Sequence, residues 1–202
     1  MKSLLLILFF SVIIYHDMIA QDDSAMKDKV DLPYRQIPDY PDSYTAENVA
    51  ARVIDGLGYR YFWATEGLTE KDLEYRPGND GRSTGETIDH IYGLTFTIVN
   101  ASLNKANVFP REELDLTFEQ KRRLTLNNIQ KASQVLKESK ANTIDNLKIK
   151  SSGSTNEHPY WNMLNGLIMD AVYHTGQVVT FRRSSGNPIN PKVNVFIGKT
   201  SE

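Results

Sequence analysis

The sequence predicts an all-α protein built as a four-helix bundle. Four long segments place their apolar residues at helical spacing, and the rest of the chain carries almost no other strong secondary-structure pattern. Amphipathic helices bury their apolar faces against one another, and four of them form a bundle. A chain of 202 residues is long enough for one such domain with a proper core.

The first 20 residues have the features of a secretory signal peptide. Lys2 precedes an apolar run from Leu4 to Tyr15, which is too short to span a bilayer comfortably. We expect cleavage after Ala20 and export, to the periplasm or the outside of the cell, with an uncleaved anchor as the alternative. No other membrane segment is expected. The whole chain divides into a signal peptide (1–20), an extended N-terminal arm (21–44), the bundle (45–190) and a C-terminal tail (191–202).

Composition excludes several classes of function. The chain contains no cysteine, so it has no disulfide, no thiolate metal ligand and no cysteine nucleophile. The formal net charge is -2 and no basic patch stands out, which argues against binding to nucleic acid.

The first two helices begin at recognisable capping residues. Thr45 caps the first helix, in which Gly56 and Gly58 indicate close packing against a neighbour. Ser83 is followed three residues later by Glu86, the capping-box arrangement that begins the second helix. His90 shares the apolar face of that helix and therefore points inward.

The third helix is predicted over residues 118–139, where charged residues form a solvated face. Residues 104–116 and 140–157 are predicted to be loops. The arm carries Tyr34, Ile37 and Tyr40 as candidate anchors, and the alternating apolar residues of the tail favour a short extended piece.

The stretch from His158 to Pro188 is predicted to contain the last helix, of roughly 25 residues, with Pro159 in its first turn, Gly186 as its stop and Pro188 just beyond. Arg182 and Arg183 complement the negative end of its dipole. The helix is apolar almost all round, so we expect it to be buried on both sides, in the bundle or at the interface of a homodimer.

Within this helix, Asp170 and His174 lie four residues apart and therefore on one face. An ionised Asp in an apolar stripe is costly to bury unless a metal or another cation meets it. With His90, the pair gives two imidazoles and one carboxylate, a set that suits Zn, Ni, Fe or Mn. The alternatives are a hydrogen-bonded core histidine at position 90, and an Asp170 that fixes an imidazole tautomer or pairs with Arg182.

Several of these features resemble the DinB/YfiT-like family of metalloenzymes. The resemblance covers residues 45–190 and is carried by ETIDH in the second helix, ending at His90, and by HTGQ from His174 to Gln177 in the last. It implies an up-down-down-up bundle, frequent dimers and, in some members, thiol-dependent transferase activity. The family places a second His where this chain has Asp170.

The sequence therefore predicts an exported, metal-dependent hydrolase or transferase acting on a small substrate. His90, Asp170 and His174 are the candidate ligands, and Asp170 would act as the general base if it is not a ligand. For Gln177 we expect a helix–helix hydrogen bond, and for Trp161 and Tyr173 a place in the core. The competing interpretation is a non-catalytic bundle that binds a partner and holds a structural or vestigial metal site. A third interpretation, an Asp–His dyad that acts without a metal, is the least favoured of the three.

Overall fold

Helices dominate the computed structural model, which describes residues 31–112 and 114–201. Its α-helices are α1 (Ala46–Thr65), α2 (Glu70–Glu74), α3 (Thr84–Ser102), α4 (Phe118–Lys137) and α5 (Met169–Ser185). A 3-10 turn covers Ile144–Asn146, and a π-helical turn, Met163–Ile168, leads into α5. In this described part of the chain, no helix is both long enough and apolar enough to cross a membrane. The predicted signal peptide and residues 21–30 of the predicted arm lie outside the described residues.

The four long helices pack side by side around one core. α1 lies against α4 and α5, and α3 lies against the same two helices. The core consists of fully buried aliphatic and aromatic side chains, among them Ile54, Leu57, Ile91, Ile98, Leu126, Ile129 and Val178. The predicted all-α fold is confirmed, whereas the up-down-down-up order of helix directions stays a prediction.

Helix starts follow the predicted capping residues. Thr45 Oγ1 accepts a hydrogen bond from Asn48 N at 3.2 Å. Ser83 Oγ accepts from Glu86 N at 3.1 Å, and Glu86 Oε2 accepts in return from Ser83 N at 2.8 Å. The hydrogen bond from the exposed Arg76, together with that from Ser83 N, lowers the pKa of Glu86 to about 2. Helix α3, the second of the four long helices, therefore begins with a complete capping box.

The last helix begins later than predicted. His158 and Pro159 form strand β3, and helical structure starts after them, at Trp161. β3 is an edge strand that pairs antiparallel with strand β2 (Lys148–Ser151). An edge strand tolerates a proline, which lacks the N–H group needed on the paired side of a central strand. At the other end the prediction is confirmed, because Gly186 is left-handed with φ 101°.

A small sheet occupies residues that were predicted to be loops. Strand β1 (Ala106–Asn107) pairs parallel with β2, so the sheet joins the segments on either side of α4 and the approach to α5. The prediction of plain loops over residues 104–116 and 140–157 is wrong at these strands. The sheet holds the chain just before the π-helical turn.

The arm and the tail lie together along α1. Tyr34 and Ile37 are buried anchors, whereas Tyr40 is exposed above the guanidinium of Arg52. In the tail, Val193–Asn194 (β4) pairs antiparallel with Lys199–Thr200 (β5). Ile37 N donates to Gly198 O at 2.9 Å, and Tyr59 Oη of α1 donates to Lys199 O at 2.8 Å.

Candidate metal centre

Three side chains from two helices meet where α3 lies against α5. His90 Nε2 is 3.1 Å from Asp170 Oδ2, and His174 Nε2 is 3.3 Å from Asp170 Oδ1. The two imidazole rings are edge to face with centroids 4.7 Å apart. One potential ligand atom from each residue lies within 4.8 Å of the others. The structure thus brings together the residues that the sequence singled out, while their role as ligands stays a prediction.

The orientation of His174 is fixed from within its own helix. His174 Nδ1 lies 2.7 Å from Gln177 Oε1, an oxygen that can only accept, so Nδ1 is the donor in this contact and Nε2 is the nitrogen that faces Asp170. Gln177 had been expected to bond to another helix, and that expectation is wrong. Residues three apart on a helix are neighbours, so this contact needs no other element. A ligating histidine commonly has its second nitrogen held in this way.

The cluster is open to solvent on the Asp170 side. The exposed fractions of the side chains are 43% for Asp170, 31% for His90 and 12% for His174. The expectation of a buried Asp170 is therefore wrong. The reason lies in the start of α5, where Met169 and Tyr173 beside Asp170 are also exposed, so this face of the helix is not covered by the bundle.

The arrangement fits a divalent transition ion. Ligand atoms around a tetrahedral ion with bonds of about 2.1 Å lie about 3.4 Å apart. Each histidine nitrogen lies close to that spacing from a different oxygen of Asp170, His90 Nε2 from Oδ2 at 3.1 Å and His174 Nε2 from Oδ1 at 3.3 Å, and one candidate ligand atom from each of the three residues lies within 4.8 Å of the others. Two imidazoles and one carboxylate form a donor set used by zinc and by non-haem iron, and the exposed carboxylate side leaves room for further ligands.

A cavity of about 670 Å³ opens beside Asp170. Its walls come from β2, β3, the π-helical turn and the start of α5, and its lining residues are Ile149, His158, Asn162, Asn165, Gly166, Leu167, Met169, Asp170 and Tyr173. His158 lines this cavity as well, although it is not part of the cluster. π-Helical turns frequently occur at functional sites, and this one forms the wall next to the candidate ligands.

The two arginines of α5 do not join the cluster. Arg182 is buried, and its guanidinium donates to the carbonyls of Trp63 and Ala64 at the end of α1, both at 3.0 Å. It also donates to Asn187 O at 2.7 Å. Arg182 therefore caps the carboxyl end of α1 and is not the partner of Asp170, while Arg183 is exposed.

Two aromatic residues expected in the core lie on the surface instead. Tyr173 is exposed at the cavity and its ring contacts that of His174, with centroids 5.4 Å apart. Trp161 is also exposed, just before the π-helical turn. Tyr92 is half-buried and packs edge to face on Phe96. Trp161 and Tyr173 stand on either side of the π-helical turn, Met163–Ile168, so the spacing of an ordinary helix does not predict which of them faces the core.

Comparison with known proteins identifies the fold. No family profile matches the chain, and no curated protein matches its sequence. Among solved structures, the chain is similar to the crystal structure of a DinB-like protein, YjoA, from Bacillus subtilis. The TM-score is 0.53 at 13% sequence identity, and the match covers 73% of this chain and 99% of the other. The chain therefore has the helical fold of a DinB-like protein, as the sequence resemblance implied.

Proposed function

We propose, from the DinB-like fold and the cluster on it, that this protein is a metal-dependent enzyme acting on a small substrate, as a hydrolase or a transferase. The observation that carries the proposal is the open His90–Asp170–His174 cluster, whose ligand atoms lie within 4.8 Å of one another beside a cavity. Those three residues would hold a Zn, Ni, Fe or Mn ion.

The residues of the cluster have separable roles in this proposal. Gln177 holds the Nδ1 proton of His174, so that the lone pair of Nε2 is available to an ion. His90 brings the second imidazole from α3, which makes the site depend on the contact between two helices. A bound divalent ion would act as a Lewis acid. If Asp170 is not a ligand, we propose that its carboxylate, which lines the cavity, accepts a proton from a substrate there.

The chemistry is not expected to depend on an intracellular thiol. Residues 1–20 suggest export, and low-molecular-weight thiols are chiefly cytoplasmic, so hydrolysis is at least as well supported as thiol transfer. We include export and a homodimer in the proposal. Cell fractionation and N-terminal sequencing of the recovered protein test the first, and sedimentation of the purified protein tests the second.

The alternative is a non-catalytic bundle with a structural or vestigial metal site. A structural zinc site is normally closed by four protein ligands, whereas a catalytic site keeps an open position. Three candidate ligands and a 43% exposed Asp170 support the catalytic interpretation.

Elemental analysis of the purified protein, prepared without a histidine tag, tests the site. We expect one equivalent of a divalent transition metal in the wild type and its loss in His90→Ala, His174→Ala and Asp170→Asn. His158→Ala is the matched control, because His158 lines the same cavity without belonging to the cluster. It should retain the metal.

Two outcomes would contradict the proposal. A wild-type protein that stays metal-free after incubation with Zn, Ni, Mn and Fe(II) would exclude the metal-dependent enzyme. Metal that binds and raises the melting temperature, with no turnover of ester, amide or thiol-acceptor substrates, would favour the structural alternative.

A further inference from the structure

We propose that an apolar groove next to the candidate metal centre binds the neutral hydrocarbon chain of an amphipathic substrate, with the polar end of that substrate at Asp170. The groove has a volume of about 760 Å³ and lies between the first half of α1, the segment around Ile144 and Lys148, and residues 159–169. This inference rests on the proposed function, because it names the class of substrate that the same site would take.

The groove is lined mainly by apolar side chains. The residues that define it are Val49, Val53, Tyr160, Trp161, Leu164 and Met169. Asp145 and Lys148 also line it, and their opposite charges favour a neutral chain over a charged one. Trp161 is 75% exposed and Val49 is 47% exposed, so the groove presents an apolar surface to water. Covering such a surface with hydrocarbon is favourable.

The groove borders the cavity of the candidate metal centre. Asn165 and Met169 line both spaces, and Met169 immediately precedes Asp170. A ligand that extends from the groove past these two side chains would reach the carboxylate. One end of the combined site is apolar, and the other end is polar and holds the candidate metal ligands. An amphipathic molecule likewise has an apolar end and a polar end.

The size of the groove favours a small molecule over a protein partner. Sites for small ligands typically enclose about 300–1,000 Å³ and combine apolar walls with a few polar groups. A stable protein interface needs roughly 800 Å² from each partner, which is more than a narrow groove supplies. A second copy of the chain is therefore the less favoured occupant.

A series of n-alkyl hydroxamates of two to ten carbons tests the inference on the purified, Zn²⁺-loaded protein by titration calorimetry. The hydroxamate head chelates metal, and the alkyl chain probes the groove. We expect the affinity to rise about fourfold for each added methylene until the groove is filled. An affinity that does not depend on chain length would overturn the inference.

Matched variants locate the effect. Val49→Lys should abolish the dependence on chain length, whereas Val195→Lys should leave it unchanged, since Val195 is 48% exposed in the tail and does not line the groove. Trp161→Ser and Phe196→Ser form a second pair of exposed aromatic positions. Circular dichroism verifies that each variant is folded. Equal loss in both members of a pair would contradict the proposal.

Failure of the groove and failure of the metal site give different results. The matching n-alkyl alcohols lack a chelating head, so their binding with and without Zn²⁺ reports on the groove alone. Length-dependent binding of the alcohols in a protein that takes up no metal would support the groove and exclude the metal site. Metal binding without any dependence of affinity on alkyl-chain length would support the metal site and contradict the groove. If Val49→Lys instead dissociates a dimer and no alkyl probe binds, the groove is a protein interface and the inference is wrong.

Discussion

At the scale of single residues, Gln177 contacts His174 at Nδ1 and leaves Nε2 facing Asp170. Replacing it by Ala removes the acceptor for the Nδ1 proton, so we expect metal affinity to fall about 10- to 100-fold. Competition titration against a chromophoric chelator measures the change.

Two further variants separate this role from a general effect on α5. Gln177→Glu keeps an acceptor oxygen in place and should retain the affinity. Thr180→Ala alters an exposed hydroxyl further along the same helix, and it should have little effect. Wild-type affinity in Gln177→Ala would show that the hydrogen bond does not prepare His174.

The cluster itself could be predicted from the sequence to a large extent. Asp170 and His174 share a helical face, and His90 lies on the inward face of the preceding partner helix, so the bundle alone makes their meeting plausible. Their exposure could not be predicted. It depends on the surface left open beside Met169 and Tyr173, which only the packing of the complete chain determines.

At the scale of elements, one of the contacts that dock the arm on α1 is that of Tyr34 with Gly58. Tyr34 donates its hydroxyl proton to Asp55 Oδ1 at 2.9 Å, and burial raises the pKa of this tyrosine. Asp55 also pairs with Lys137 of α4 at 2.6 Å. A methyl group at Gly58 would lie 2.5 Å from the Tyr34 ring, so the glycine makes room for the arm.

Gly58→Ala should therefore destabilise the protein even though alanine favours helices. We expect a loss of about 1–3 kcal/mol in the free energy of unfolding, because the ring must move out of a packed position. Urea denaturation measures it. In Gly56→Ala, the added methyl group meets only the end of the Arg60 side chain at 3.3 Å, and stability should be unchanged or higher by up to about 1 kcal/mol. Equal effects of the two substitutions would contradict this account of the docking.

Elements differed in how well the sequence predicted them. Helices α1, α3 and α4 follow from long apolar periodicity together with Thr45, Ser83 and the charged face of α4. The strands are too short to carry a periodic signal, and Ala106 finds its partner Lys150 far along the chain. The π-helical turn gave no signal either, since its sequence is compatible with an ordinary helix.

At the scale of the whole molecule, the response to acid should depend on Asp72. This buried carboxylate accepts hydrogen bonds from Ser185 and from Asn187, and so connects α2 to the end of α5. Burial alone would raise the pKa of Asp72, but the hydrogen bonds from Asn187, Ser185 and Thr69 outweigh it and lower the pKa well below its usual range.

A lowered pKa in the folded state means that this contribution to stability is present above the unfolded pKa of about 3.9 and is lost as the pH falls further. Asp72→Asn should lower the free energy of unfolding by roughly 1–3 kcal/mol at pH 7. The difference in this free energy between the variant and the wild type should shrink below about pH 4. Urea denaturation between pH 7 and pH 3 measures both. Asp80→Asn, in an exposed loop, is the control and should follow wild type throughout. A constant difference across the whole pH range would contradict the role of the Asp72 carboxylate.

The hydrogen bond between Ile37 N and Gly198 O holds the arm next to the tail, which makes a circular permutation of the chain possible. Because the arm and the tail meet there, a short glycine–serine linker can join residue 201 to residue 33, and new ends can be opened at the exposed Gly153 between β2 and β3. Such a circularly permuted protein keeps the helix contacts that bring His90 to Asp170, but in it α5 precedes α1 and α3 along the chain. We expect it to fold with the same helical content, which would mean that the cluster depends on helix packing and not on the order in which the helices are made.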